Sequence, residues 1–81
     1  MSKKIEIYST ETCHYCHMAK DFFNAHNLAF TDYNVGKDQE KLVEMREKSG
    51  QLGVPVIVID NDEVIVGFDQ RRLASVLGVS A

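Results

Sequence analysis

Cys13-His14-Tyr15-Cys16 holds the only two cysteines of the chain, with two residues between them. The pair follows a short apolar strand pattern (Ile5, Ile7, Tyr8) and opens a helical pattern running from about His14 to His26. A C-x-x-C set between a strand and a helix is the arrangement of a dithiol redox site. Cys13, just ahead of the helix, faces the free N–H groups of its first turn. Those donors favour the thiolate, which is the reactive form of cysteine. The macrodipole typically contributes only about 0.3–1 kcal/mol at such a position. Direct hydrogen bonds from the N–H groups of Tyr15 and Cys16, or from the Cys16 thiol, are therefore expected to supply the rest. Cys16 lies one turn in, shielded but close enough to resolve a mixed disulfide.

Composition sets the outer bounds. With 81 residues, 44% of them apolar and 26% charged, the chain is expected to form one compact domain, 1–81, of limited buried area. A net charge of −3 gives no attraction for nucleic acid or an anionic membrane. No run approaches the ~18 apolar residues of a membrane span. Met1-Ser2-Lys3-Lys4 is basic, but Glu6 soon breaks the basic run, and no apolar h-region or cleavage site is present. A cytoplasmic monomer is expected. In that reducing compartment a cysteine pair is catalytic or metal-binding sooner than a structural staple.

Outward from the cysteines the pattern divides into seven elements. Ile5–Tyr8 alternates with polar residues and reads as a strand. Ala19, Phe22, Phe23 and His26 recur at helical spacing, with Asn27 as a left-handed stop. Ala29–Val35 alternates with period two, a second strand. Asp38 caps a helix that turns Leu42, Met45 and Ser49 inward and ends at Gly50. Val56–Ile59 and Val64–Val66, joined by Asp60-Asn61-Asp62-Glu63, read as a hairpin. Gly67-Phe68-Asp69 leads into a last helix with Leu73, Val76 and Leu77 on one face, closed by Gly78. The order β-α-β-α-β-β-α predicts a parallel right-handed first unit and an antiparallel hairpin. The expected fold class is α/β, a mixed four-stranded sheet flanked by helices in the thioredoxin architecture.

Other chemistries compete for the same residues. Cys13 to His17 also spells the C-x-x-C-H haem attachment pattern, but the β content and the lack of an export signal speak against it. A structural zinc site wants four ligands. His17 could join the cysteines only with distortion, and His26 stands about 15 Å further along the helix, so no metal ligand set is assigned. His14 could place a positive charge near the sulfur and make the pair more oxidising, or be a solvated first-turn residue. His17 and His26 read as ordinary helix residues. Glu11 would oppose a thiolate if it pointed inward.

With these residues in view, the chain resembles the glutaredoxin family over nearly all its length. The likeness runs through Ile7-Tyr8-Ser9, Thr12-Cys13-His14-Tyr15-Cys16, Ala19-Lys20, Ser49-Gly50, Val54-Pro55 and Gly67-Phe68-Asp69. It implies a thiol–disulfide oxidoreductase that reduces protein or glutathione mixed disulfides. Cys13 would attack, and Cys16 would displace the substrate and leave a redox-active Cys13–Cys16 disulfide. The resemblance implies no bound cofactor, and glutathione, another thiol or thioredoxin reductase as the reductant. It also implies a cis peptide before Pro55, main-chain pairing of Val54 with the substrate, and a substrate or glutathione surface of Tyr15, Val54, Pro55, Gly67, Phe68 and Asp69. There Asp69 would meet the amino group of the γ-glutamyl end, while backbone N–H groups receive its carboxylate.

The sequence departs from the family pattern in places. Glutaredoxins usually carry Pro where His14 stands, and Lys where Thr10 stands; that lysine helps to hold the glycine carboxylate of glutathione. Gly67-Phe68 is similar to the NrdH-type redoxins, which supply electrons to ribonucleotide reductase and are recycled by thioredoxin reductase. Those usually continue with Arg-Pro rather than Asp69-Gln70. An NrdH-type donor is the alternative reading, and a zinc or iron–sulfur carrier, dimeric through Cys13, is the alternative from another class. Arg71 and Arg72 could hold a carboxylate or a partner, or form a solvated helix face.

Overall fold

The computed structural model describes residues 3–79. Met1, Ser2, Ser80 and Ala81, the outermost positions of the expected 1–81 domain, lie outside the described residues. Seven elements run in the expected order: β1 (Ile5–Ser9), α1 (His14–Ala25), β2 (Thr31–Asn34), α2 (Gln39–Ser49), β3 (Val56–Ile59), β4 (Glu63–Val66) and α3 (Gln70–Leu77). The strands form one sheet in the order β2-β1-β3-β4. β1 runs parallel to β2 and antiparallel to β3, and β3 pairs antiparallel with β4. This is the mixed four-stranded sheet of the thioredoxin fold. No helix among the described residues is long and apolar enough to cross a membrane.

The sheet buries both faces. On one, Ile5, Ile7, Ile57, Ile59 and Ile65 pack with Ala19, Phe22 and Phe23 of α1 and Leu73 and Ala74 of α3. On the other, Tyr8, Val56 and Val58 pack with Val35 and with Met45 of α2. The period-two strand rule gives each face its own residue set, and the β-branched runs of β1 and β3 supply both.

The polar residues of β1, Glu6 and Ser9, are buried, at 4% and 2% exposure. A central strand covered on both sides has no outward face. Each side chain takes one partner from β2: Tyr33 Oη donates to Glu6 Oε2 at 2.7 Å, and Ser9 Oγ donates to Asp32 Oδ1 at 2.6 Å, while Glu6 Oε1 has no hydrogen-bond partner among the described residues. The second strand was expected over 29–35, but its ladder covers only Thr31–Asn34, opposite Glu6–Ser9. The length of β1 limits it, although Val35 N–H still donates to Ser9 O at 2.9 Å and the Val35 side chain is buried.

The punctuation falls where local chemistry put it. Asn27 adopts φ 55° after α1, Gly50 adopts φ 74° after α2, and Asp38 Oδ1 accepts from Lys41 N–H at 3.2 Å. Asp60 and Asn61, at φ 55° and 57°, make the left-handed pair that a tightly twisted hairpin requires. These turns bring the C-terminal ends of β1 and β4 and the start of β3 together at one end of the sheet, where the cysteines lie.

Candidate active site

Cys13 is the N-cap of α1, with extended backbone at φ −82° and ψ 111°. Its Sγ accepts the N–H of Cys16 at 3.2 Å. Of the two backbone donors expected at the sulfur, the Tyr15 N–H does not form this bond. A capping side chain accepts from the second or third helical N–H, and here the third, at Cys16, takes the position. Cys13 is half-buried, whereas Cys16 has no exposed surface.

The two thiols are in unlike electrostatic settings. Burial pushes the Cys16 thiol up to about 12, and its hydrogen bond with the Cys13 sulfur adds to the shift. A backbone hydrogen bond from Thr10 and the charge of Lys20 pull the other way. Cys16 therefore keeps its proton at neutral pH and turns it toward Cys13. The Cys13 sulfur accepts the Cys16 backbone N–H at the first turn of α1.

The loop ahead of the cysteines is tied from three sides. Cys13 N–H donates to Thr10 O at 3.4 Å. His17, expected to be an ordinary helix residue, instead spans back to Glu11: its Nε2 lies 2.8 Å from the Glu11 carbonyl, which can only accept, so Nε2 carries the proton in this contact. The Glu11 carboxylate is engaged by Lys37 Nζ at 2.8 Å, and that ammonium holds its carboxyl below the usual range. The His14 ring is exposed and meets the Tyr15 ring edge-on, with centroids 5.6 Å apart. His26 packs against Phe22 in the same way at 4.6 Å.

The remaining residues of the expected substrate surface lie in two joined segments. The Val54–Pro55 peptide is cis and Pro55 is buried. Gly67, at φ 83°, donates its N–H to Pro55 O at 2.8 Å and so fastens the β4–α3 turn to the proline loop. Among the described residues, neither the N–H nor the C=O of Val54 enters a backbone hydrogen bond. The Phe68 ring turns inward and packs edge-on to Phe22 at 6.0 Å, joining the core, so its backbone is the part left for a ligand. Asp69 Oδ1 caps α3 by accepting Arg72 N–H at 3.1 Å, and Arg72 also pairs with Glu63 at 2.8 Å. Tyr15 stands 60% exposed beside Cys13. Among the described residues, no group of three His, Cys, Asp or Glu side chains converges on a common point.

A second layer beneath Cys16 was not assigned from the sequence. Lys20, four residues along α1, pairs with Asp32 of β2 at 2.7 Å, and Asp32 in turn accepts from buried Ser9. The i, i+4 spacing from Cys16 to Lys20 places both on one helix face and could have flagged the lysine. Asp32 could not have been found that way, because it arrives through the β1–β2 register.

Comparison with known proteins agrees with this geometry. The Glutaredoxin family model matches residues 5–65. A glutaredoxin-like 8.6 kDa protein of the rubredoxin operon in Clostridium pasteurianum is 45% identical over 69 residues, 85% of this chain and 91% of that protein. Glutaredoxin 3 of Escherichia coli K12 is 37% identical over 60 residues, covering 74% of this chain and 72% of its own length. Glutaredoxin-like protein NrdH of Lactococcus lactis subsp. cremoris is 33% identical over 70 residues, covering 86% and 94%. Among solved structures, the thioredoxin-like protein BC3987 superposes with a TM-score of 0.84 at 29% identity, covering 90% of this chain and 99% of its own.

Proposed function

The chain belongs to the glutaredoxin family, and on that premise we propose that it is a dithiol thiol–disulfide oxidoreductase. Cys13 attacks a substrate disulfide and forms a mixed disulfide. Cys16 then attacks Cys13 Sγ, expels the substrate as a thiol, and leaves a Cys13–Cys16 disulfide for an external reductant. One observation carries this reading: the capping bond from Cys16 N–H to Cys13 Sγ, with a buried, protonated Cys16 beside it. The arrangement gives one accessible nucleophile and one shielded resolving thiol.

Substrate main chain pairs with the free N–H and C=O of Val54, a one-residue β-addition. Tyr15, Pro55, Gly67, the Phe68 backbone and Asp69 complete the surface. Asp69 at the start of α3 supports glutathione or another low-molecular-weight thiol as reductant in the cytoplasm. A second reading, an NrdH-type donor recycled by thioredoxin reductase, is favoured by Thr10, which offers no cation for a glycine carboxylate. Lys37, which lines the same cleft from the β2–α2 loop, is engaged by Glu11.

The test is reduction of a glutathione mixed disulfide and of insulin, with Cys13→Ser and Cys16→Ser compared. Cys13→Ser should be inactive on both. Cys16→Ser should accumulate a mixed disulfide at Cys13. Retention of activity by Cys13→Ser would end the proposal. Recycling the oxidised protein with glutathione plus glutathione reductase, or with thioredoxin reductase, separates the two readings.

A further inference from the structure

We propose that Lys20 is a positioning residue for the resolving step, its ammonium held by Asp32 as the counter-charge to the thiolate that forms on Cys16. The inference rests on the dithiol reading and adds the group that makes its second half possible. Burial leaves the Cys16 sulfur without solvent to support a negative charge, so the protein itself must supply that support.

The groups around that sulfur can be enumerated by element. Cys13, at the start of the same helix, opposes a second thiolate, but once it is joined to substrate it carries no charge. Thr10, in the β1–α1 loop, contributes a backbone hydrogen bond. Lys20 is the cation on its own helix face, one turn along. Its side chain is only 21% exposed, against 73% for Lys37. On β2, Asp32 bonds Lys20 Nζ at 2.7 Å through one oxygen and Ser9 Oγ at 2.6 Å through the other. Ser9 is buried on β1, so the carboxylate is anchored to the central strand and fixes where the ammonium lies. A free surface lysine would be screened and mobile; this one is held.

The chemistry balances without a further reactant. The Cys16 sulfur attacks Cys13 Sγ and gives up its proton, which offsets the proton that the departing substrate sulfur takes up. The Cys13–substrate S–S bond breaks, and the bonding pair leaves on the substrate sulfur, which takes a proton from solvent. Substrate is reduced, the dithiol is oxidised, and Lys20 is neither consumed nor deprotonated.

The neutral probe 4,4′-dithiodipyridine separates the two halves, because attack by Cys13 releases one thiopyridone and resolution by Cys16 releases a second. In rapid mixing with the full-length reduced protein, Lys20→Gln should leave the first release unchanged. It should slow the second several-fold, because the loss of thiolate outweighs the gain in its nucleophilicity, and move its pH profile upward. Lys20→Arg should restore the second release. Lys20→Met, which keeps the apolar stem, should show the same defect as Gln, separating loss of charge from loss of packing. Equal slowing of both phases, no slowing of the second, or failure of Arg to rescue would overturn the role of Lys20. A second release that persists in Cys16→Ser would instead sink the dithiol reading itself.

Discussion

Cys13 and Cys16 carry the same side chain into opposite circumstances. One caps a helix at the surface and the other is sealed beneath it, its thiol raised by burial to about 12. A brief pulse of excess iodoacetamide on the reduced native protein at pH 7 should therefore add a single carbamidomethyl group, at Cys13. Mass spectrometry of the digest should find Cys16 modified only after unfolding. Rapid double labelling of the native protein would contradict the shielding. The same shift has a consequence for stability. An unfolded cysteine titrates near ~8.5, so above that pH the unfolded chain loses the proton that folded Cys16 still holds. The contribution of Cys16 is fully present below about pH 8.5 and declines as pH rises toward 12. Urea midpoints of the reduced protein should fall between pH 8 and about 9.5 more steeply than those of Cys16→Ser. Tyr8 and Tyr33, also raised, begin to matter only above that window.

At the scale of elements, a helix that begins on its own nucleophile links stability to chemistry. Cys13 caps α1 through sulfur, whereas α2 and α3 are capped by the carboxylates of Asp38 and Asp69. A serine at position 13 keeps an acceptor for the Cys16 N–H and an alanine does not. Cys13→Ser and Cys13→Ala should both be inactive, and the serine variant should be the more stable by about 0.5–2 kcal/mol in urea unfolding. Equal stability would mean that the capping bond contributes nothing to the helix. Asp38→Ala, remote from the cysteines, should cost about 1 kcal/mol without altering the Cys13 reaction. The caps, the hairpin turn and the C-x-x-C were legible because each is written in a few adjacent residues. Asn27, Asp38, Gly50 and Asp60-Asn61 all stand where local chemistry placed them. The bounds of β2 were not legible, since its ends depend on which residues β1 can reach. The bond from His17 to Glu11 was hidden because it joins a helix to the loop before it.

Across the whole molecule, the sheet separates the working side from the supporting side. α1, which carries both cysteines, and α3 share one face, while α2 holds the other through Met45. That division also explains what the sequence withheld. Glu6 and Ser9 look like solvent positions until β1 is known to be the covered central strand, and the Ser9–Asp32–Lys20 chain exists only through that strand's parallel pairing. The division makes a prediction about separability. Met45 is fully buried, and Met45→Ala should cost about 2–5 kcal/mol, a large share of the ~5–15 kcal/mol that stabilises a typical domain. Below its lowered urea midpoint, however, the rate of the first thiopyridone release should stay within about twofold of the parent, because the cysteines bear on the opposite face. Phe23→Ala removes a comparable amount of core from α1 itself, about 3–5 kcal/mol, and should disturb that rate as well, since Phe23 lies two helical turns from Cys16 and fixes the helix on the sheet. If Met45→Ala slowed attack as much as Phe23→Ala did, the two faces would be mechanically coupled and the sheet would not be a rigid partition between them.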